Sequence, residues 1–560
     1  MWRAAFSGMA SLAVHAASRL LVGFLTLALA RHASATAPSA YYVDCAAGSD
    51  SAAGTSPLAA WRTLAKVSAT TFLPGDSILL RRGTHCVGQL WPKGSGEPAR
   101  PILIGAYGDA GPLPLIDGSG ADAAVKLVDQ SHWVVETVET IGGNPYGVFV
   151  GGTNGDRRDF VLRNLVVHDV VGEPKSKTSG LVVVAAADHS RMADVLIDGI
   201  TAFNTTQWAG IIVNGYGETG ANRIHHVTVR NAIVHHVAGD GIILFSVEDG
   251  LIERSAAWLT GLQPLQTIGT PNAIWTWMCR RCVVRQTEGF FIDSPGVDGG
   301  VYDIDFGDND NVVEDNYGHD AMGYCIAVFG AEQLVTTNSV VRGNVCADNG
   351  RSPKLALRQG DLFVDTWDGG SLDGLRIENN SFYWDPVIDA PAVLERADFT
   401  GARPNVMTGN RIFTGVSHPI RSSGTMQLDG NTVAPVPPSA TAPNHAARLR
   451  IELTVGDAVS SDRGQIVFLK AALAQYPDQL EAVLVTPNAS QSLADDWNLG
   501  HVRIIERRST RRPGLRLLGG DGREVARWER FVPPAELGLT LRRTLGAPHP
   551  FRGPGLQHER

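Results

Sequence analysis

Gly210-Ile-Ile-Val-Asn214, then Val229-Arg-Asn-Ala-Ile-Val-His-His236, then Gly241-Ile-Ile-Leu-Phe245: a short apolar strand, a second strand ending in polar residues, and the first strand again. The unit recurs outward in both directions. Its openings read Tyr146-Gly-Val-Phe-Val, Gly180-Leu-Val-Val-Val, Gly210, Gly241, Ala273-Ile-Trp-Thr-Trp, Gly300-Val-Tyr-Asp-Ile-Asp, Gly323-Tyr-Cys-Ile-Ala-Val, Gly360-Asp-Leu-Phe-Val-Asp and Pro391-Ala-Val-Leu. From one opening to the next the steps are 34, 30, 31, 32, 27, 23, 37 and 31 residues. Between them runs the second strand, as in Arg163-Asn-Leu-Val-Val-His-Asp, Ile197-Asp-Gly-Ile-Thr-Ala-Phe-Asn and Val340-Val-Arg-Gly-Asn-Val-Cys. Short strands at such a period mean a solenoid or a propeller. Trp367-Asp368 and Trp384-Asp385 do not recur at blade spacing, and the column of Asn and Asp turn residues suits stacked coils. The pattern predicts a parallel β-helix, a mainly β fold of roughly ten coils.

Composition agrees. The chain has 560 residues, 62 of them glycine, with 44% hydrophobic and 19% charged residues, which fits a turn-rich β protein with a large core. The net charge of -9 and the lack of a basic stripe argue against a nucleic-acid partner. Arg3 and Arg19, the apolar run Leu20–Ala30 and the small residues Ala33-Ser-Ala35 read as an export signal over residues 1–35. The apolar run is short for a membrane span, although an uncleaved anchor is the alternative, and no other segment could span. The mature chain is then expected outside the cytoplasm, secreted or periplasmic. Six cysteines permit disulfides there, and Cys45 with Cys86, both in the first mature segment, form the expected pair. Cys279-Arg-Arg-Cys282 has redox-motif spacing. It lies between strand-like runs and not at a helix N-terminus, and no second pair completes a zinc site.

Tyr41-Tyr-Val-Asp-Cys-Ala-Ala-Gly-Ser-Asp-Ser-Ala-Ala-Gly-Thr, Trp61-Arg-Thr-Leu, Leu73-Pro-Gly-Asp-Ser-Ile-Leu-Leu and Ile102-Leu-Ile-Gly-Ala-Tyr-Gly resemble the opening of the right-handed parallel β-helix superfamily of carbohydrate-active proteins, pectate lyase-like and polygalacturonase-like. The resemblance covers roughly residues 41–435. It implies a right-handed solenoid with an N-terminal cap over 36–435, and it says little about the reaction, since the fold hosts lyases, hydrolases, epimerases and non-enzymes. A Pro/Ala linker fills 436–446. Beyond it the pattern changes. Gln465-Ile-Val-Phe-Leu469 is expected as a strand, Lys470–Tyr476 as helix and Leu480–Val485 as a strand. A hairpin turns at Asp521-Gly522, and a helix runs from Pro533 to Leu545. That order resembles a thioredoxin-like α/β domain over 447–548, with Pro513 at its cis-proline position and 549–560 as a tail. It has no cysteine, so redox chemistry is not expected.

The chemistry-bearing segment is Asp293–Asp320, nine carboxylates in 28 residues. Asp303 and Asp305 alternate with Tyr302, Ile304 and Phe306, so both carboxylates take one face, about 6.6 Å apart at their start. A pair at that separation suits acid/base work on a glycosidic bond, with a spacing near that of inverting enzymes. On neighbouring coils Trp275, Trp277, Asp365 and Trp367 occupy outward positions and are expected to line a sugar-binding cleft. His319, Asp320 and Asp240 are further catalytic candidates, although the His/Asp column ending each coil reads mainly as a turn ladder. The first expectation is therefore a secreted glycoside hydrolase acting on a polysaccharide or oligosaccharide, needing no cofactor. The alternative is a calcium-dependent lyase or epimerase, with Asp308 and Asp310 joining the aspartate pair as metal ligands. A third is a non-catalytic glycan-binding or surface solenoid. Neither sugar nor linkage is legible.

Overall fold

In the computed structural model, strands of the repeat region pair in parallel with the strands one coil before and one coil after. Asp240–Phe245, for example, lies between Ala209–Gly215 and Asn272–Trp277. The structure describes residues 38–548 except 110, 176, 216–221, 263–269, 295, 387, 400, 438–447, 456–458, 488–501 and 507–513. The export signal at 1–35, Pro513, the tail at 549–560 and most of the linker at 436–446 lie outside the described residues.

One continuous parallel sheet of 34 strands winds through the chain. Each coil contributes three strands, so the sheet has three faces. One stacks Asp240–Phe245, Asn272–Trp277, Gly300–Ile304, Ile326–Gly330 and Leu362–Thr366. A second stacks Val247–Glu253, Val283–Arg285, Val312–Glu314 and Val340–Arg342. The third stacks Ile233–Val237, Ala256–Trp258, Glu288–Phe290 and Tyr317–His319. Valine and isoleucine dominate the inward positions of all three and fill one core from Val43 to Met426. β-branched side chains suit such pleated, doubly covered positions.

The corners are built from polar residues. Asn316, Asn344, Asn380 and Asn410 form a buried ladder along the axis. Each side-chain amide donates to the oxygen of the next and to a main-chain carbonyl, as Asn344 does to Asn380 Oδ1 at 2.9 Å and to Val313 O at 2.9 Å. At another corner Asp169, Asn204, His236, Asp320 and Asp348 take left-handed backbone, φ 53° to 58°. Asn and Asp tolerate that conformation best among residues with a Cβ. The Asn/Asp column read from the sequence falls at these two corners.

Beyond the solenoid a five-stranded sheet runs in the order Arg503–Glu506, Leu480–Thr486, Leu449–Thr454, Gly514–Leu518, Glu524–Trp528. The first three are parallel and the last two form an antiparallel hairpin turning at Asp521-Gly522, with Gly522 at φ 79°. Residues 465–469 are not a strand but part of the Val459–Gln475 helix. Ile466, Val467, Phe468 and Leu469 are all buried because that helix is wedged between the small sheet and the third face of the solenoid. An apolar run buried on every side carries no period, so its sequence did not declare a helix. The closing helix is Pro534–Leu545. Among the described residues no helix is long and apolar enough to cross a membrane.

The Cys45 and Cys86 sulfurs lie at disulfide distance, and so do those of Cys325 and Cys346, a pair the sequence did not suggest. Cys279 and Cys282 are buried thiols inside the solenoid, and Cys279 Sγ donates to Leu244 O at 3.1 Å. Burial, with Cys282 and Asp308 nearby, pushes the Cys279 thiol well above its ordinary range, so it is not a reactive thiolate.

Candidate functional site

On the first face Tyr302 and Ile304 point into the core, which turns Asp303 outward. Register then fixes its neighbours. Ile243, Trp275, Asp303, Ala327 and Phe363 form one outward column. Phe245 and Trp277 begin the next, with Phe329 and Asp365 further along it. Between them Asp305 continues its strand by donating its N–H to Thr276 O at 3.0 Å. The Gly300–Ile304 strand has ended there, and Asp305 Oδ1 turns back to accept from Phe306 N at 2.9 Å. Ideal strand spacing therefore no longer sets the separation of the two carboxyls, and the expectation of inverting geometry loses its basis.

Asp303 is 2% exposed and Asp305 only partly exposed. Asp303 Oδ2 accepts from Asn272 Nδ2 at 3.2 Å and faces the Tyr324 hydroxyl at 3.3 Å, while Oδ1 has no partner. Asp240 is fully buried beside them. Its Oδ1 accepts from Asn272 N at 2.7 Å and Trp275 Nε1 at 2.9 Å, and its Oδ2 is unpartnered.

These groups titrate far from normal. Burial, then the charges of Asp305, Asp298 and Asp308, drive Asp303 well above the carboxylate range. Burial, then Asp298 and Asp308, drives Asp305 upward too, opposed by the Phe306 N–H and by Lys177. Asp240 is raised by burial against its two donors. Asp298 is pushed up to about 6 and Asp308 to about 7, both by burial. Five desolvated carboxylates thus share one region, with the Lys177 ammonium 3.3 Å from the Trp277 ring centroid as a cation beside them. Groups so perturbed mark functional sites more often than chance.

The remaining expected residues are distributed differently. Trp275 and Trp277 are 5% and 2% exposed, packed with Trp208, Phe245, Met278 and Phe306. They form the wall under the carboxylates and offer no open ring face, because Phe245 stacks on Trp277 at 4.3 Å. Trp367 is 42% exposed and touches Phe306 and Phe329 edge-on. Asp365 is tied to Arg396 at 2.7 Å.

His319 and Asp320 are not near this cluster. They belong to the third face, sealed beneath the C-terminal domain, where Arg542 pairs with Asp320 and Gln475 Nε2 donates to Glu288 Oε1 at 2.7 Å. His319 Nε2 meets Glu288 at 3.2 Å and its ring stacks on Phe290.

Asp308 and Asp310 do not converge on a cation. Asp308 accepts from Thr276 Oγ1 at 2.5 Å and Cys279 N at 2.6 Å, while Asp310 is exposed and accepts from Asn338 Nδ2 at 2.8 Å. Among the described residues the group with metal-ligand spacing is Cys325, Cys346 and Asp361, and its two sulfurs lie at disulfide distance from each other.

Sequence reasoning missed Asn272, Asp298, Lys177 and Tyr324. Asp298 lay in the acidic run itself. Tyr324 had a signal one coil earlier, since a Cβ on Gly300 would sit 1.9 Å from Tyr324 Cε2. The glycine marks the space the ring fills.

Fold and site together define a class: stacked parallel coils whose outer wall carries a desolvated carboxylate cluster. No protein-family model matches the chain. It is 24% identical over 499 residues to the lacto-N-biosidase of Bifidobacterium longum subsp. longum, a match covering 63% of this chain and 31% of that protein. The chain thus spans about a third of the length of that curated relative. Among solved structures, the native GH136 lacto-N-biosidase from Eubacterium ramulus superposes with a TM-score of 0.52 at 18% identity, covering 71% of this chain and 68% of the other. Its selenomethionine derivative gives a TM-score of 0.50. At that identity the likeness is one of fold.

Proposed function

We propose that the chain is a secreted carbohydrate-active enzyme, a glycoside hydrolase cleaving a neutral oligosaccharide or polysaccharide. Asp303 is the proton donor and Asp305 its ionised partner. The observation that carries this reading is the contrast between two carboxylates on one outer face. Asp303 is nearly sealed and surrounded by Asp298, Asp305 and Asp308, so it keeps a proton. Asp305 is raised as well, but it keeps partial exposure, a main-chain donor and the field of Lys177, and on that contrast it takes the ionised role. Environments that separate two titratable groups assign acid and base. The lacto-N-biosidase name shared by the curated relative and the solved neighbour supports a glycosidase.

The ionised Asp305 favours a neutral sugar, because a uronate brought beside it meets like charge. A calcium-dependent lyase or epimerase would need a cation at that point, and Asp308 and Asp310 do not share one site. Trp367 is proposed as a stacking surface for a sugar ring beside Phe306, with Trp275, Trp277 and Asp365 shaping the wall behind. Right-handed winding follows the rule for parallel crossovers. The strand order at 449–528 supports a thioredoxin-like arrangement for 447–548, without redox chemistry because no cysteine follows Cys346. The apolar leader at 1–35 and the two cysteine pairs support export.

A panel of neutral oligosaccharides that includes a lacto-N-bioside, with pectin and alginate as uronate polymers, tests the reading. New reducing ends without ultraviolet absorbance are expected from a neutral member, and Asp303→Asn and Asp305→Asn should each lower that activity at least about 100-fold. Absorbance from a new double bond would put the lyase first. Binding without cleavage would leave a glycan-binding solenoid.

A further inference from the structure

Asn272 and Tyr324 stand behind Asp303 and are not accounted for by packing alone. The Asn272 side-chain oxygen accepts twice, from Gly300 N at 3.1 Å and from the Tyr324 hydroxyl at 2.9 Å. Two donors on that oxygen fix which way the amide faces, so Nδ2 is turned to Asp303 Oδ2 at 3.2 Å. An amide nitrogen only donates. Asp303 Oδ2 must therefore act as an acceptor there, and a carboxyl proton on that atom would oppose the amide hydrogen. The proton is left for Oδ1, the buried oxygen with no partner. The construction needs Gly300, because any Cβ at that position would strike the Tyr324 ring.

We propose that Asn272 and Tyr324 are positioning residues that hold Asp303 Oδ2 as an acceptor and so force the acid proton onto Oδ1. This rests on the reading of Asp303 as proton donor. Tyr324 acts on both groups: its hydroxyl helps hold the Asn272 oxygen and also faces Asp303 Oδ2 at 3.3 Å. Without the hydroxyl Gly300 N still holds the Asn272 oxygen, but Asp303 Oδ2 loses one of the two donors that face it. A carboxylate with fewer donors is less stabilised, so Asp303 holds its proton more tightly.

Tyr324→Phe removes one oxygen and keeps the ring that fills the space over Gly300. In difference infrared spectra against Asp303→Asn, the protonated-carboxyl band of Asp303 is expected to persist to higher pH in Tyr324→Phe than in wild type. This measurement needs no substrate. In kinetics on a lacto-N-bioside with a sugar leaving group, Tyr324→Phe should lower kcat roughly 10- to 100-fold with little change in KM, with the basic limb displaced to higher pH. On the p-nitrophenyl lacto-N-bioside, whose leaving group needs little acid assistance, the loss should nearly vanish. An unchanged infrared titration, or equal losses on both substrates, overturns the proposal even if Asp303→Asn is inactive. Full activity in Asp303→Asn overturns the assignment of the acid and this inference with it. Asn272→Leu should reproduce the infrared shift, and its failure to do so would also count against the clamp.

Discussion

Asp303 stores a cost that a stability measurement can read. In the unfolded chain an aspartate ionises near pH 3.9. In the folded chain burial and three neighbouring carboxylates keep Asp303 protonated far above that. Below the unfolded value both states hold the proton and the cost is absent. As pH rises above it, the unfolded state alone releases its proton, and the folded state loses stability until its own raised value is passed. Asn keeps the acceptor for Asn272 and Tyr324 and cannot ionise. Asp303→Asn is therefore expected to raise the thermal midpoint at pH 7, by a gain of about 1–2 kcal/mol, while abolishing cleavage. The gain should disappear near pH 3.5, which calorimetry at the two pH values checks. An equal or lower midpoint at pH 7 would mean that Asp303 is ionised in the folded state.

At the scale of single elements, period-two alternation was enough to turn Asp303 away from the core, with Asp305 just past the end of its strand, and the step near 30 residues was enough for coils. Alternation says only which side of a strand a residue takes. It does not say whether that side is covered, and so Trp275 and Trp277 read as an open cleft although neighbouring aromatic side chains close over them. His319 and Asp320 misled for the same reason: their outward face is closed by a helix more than two hundred residues later in the chain. The strand expected at 465–469 failed because a run apolar on all sides has no period to read. The asparagine ladder, in contrast, was legible as a turn column, and its energetics follow from position. Asn380 Oδ1 accepts from Asn344 N and Nδ2, and its own Nδ2 donates to Val341 O at 3.0 Å. Asn380→Ala strands buried groups on both sides of the rung and is expected to cost about 3 kcal/mol. Asn431 ends the ladder and is only half-buried, so Asn431→Ala should cost about 1 kcal/mol. Urea unfolding of the two variants checks the ratio, and equal costs would deny the ladder its cooperativity.

For the whole molecule the decisive contact is between the solenoid's third face and the C-terminal domain. His168, Phe203, His235, Trp258, Phe290 and His319 stack ring on ring along that face at 4.6 to 5.3 Å, the rise of the coils themselves. Ile233, Trp258, Phe290 and Phe291 share one apolar core with Phe468, Leu537 and Leu541 of the C-terminal domain. Within it Arg542 pairs with Asp320 and Asp348 and donates to the Tyr317 hydroxyl at 3.0 Å. Burial alone would raise the Asp320 carboxyl. The Arg542 charge, the His319 bond and the Arg351 charge reverse this and hold it below the usual range. A lowered folded value means stability that is present above the unfolded pKa and lost as pH falls through the folded one. Arg542→Met keeps much of the apolar contact but removes that cation, leaving Asp320 buried with Arg351 and His319. It is expected to cost about 3–5 kcal/mol at pH 7, the usual penalty for stranding one member of a buried pair. The loss should shrink below pH 4, where Asp320 in the variant takes up a proton and no longer needs a counter-charge. Urea midpoints at pH 7 and pH 3.5, with a dye that reports exposed apolar surface, measure both parts. If Arg542→Met is equally destabilised at the two pH values, the pair contributes packing and not charge. If the dye binds the folded variant, the domain has lifted from the ring stack, and this one ion pair is what holds the two parts of the chain together.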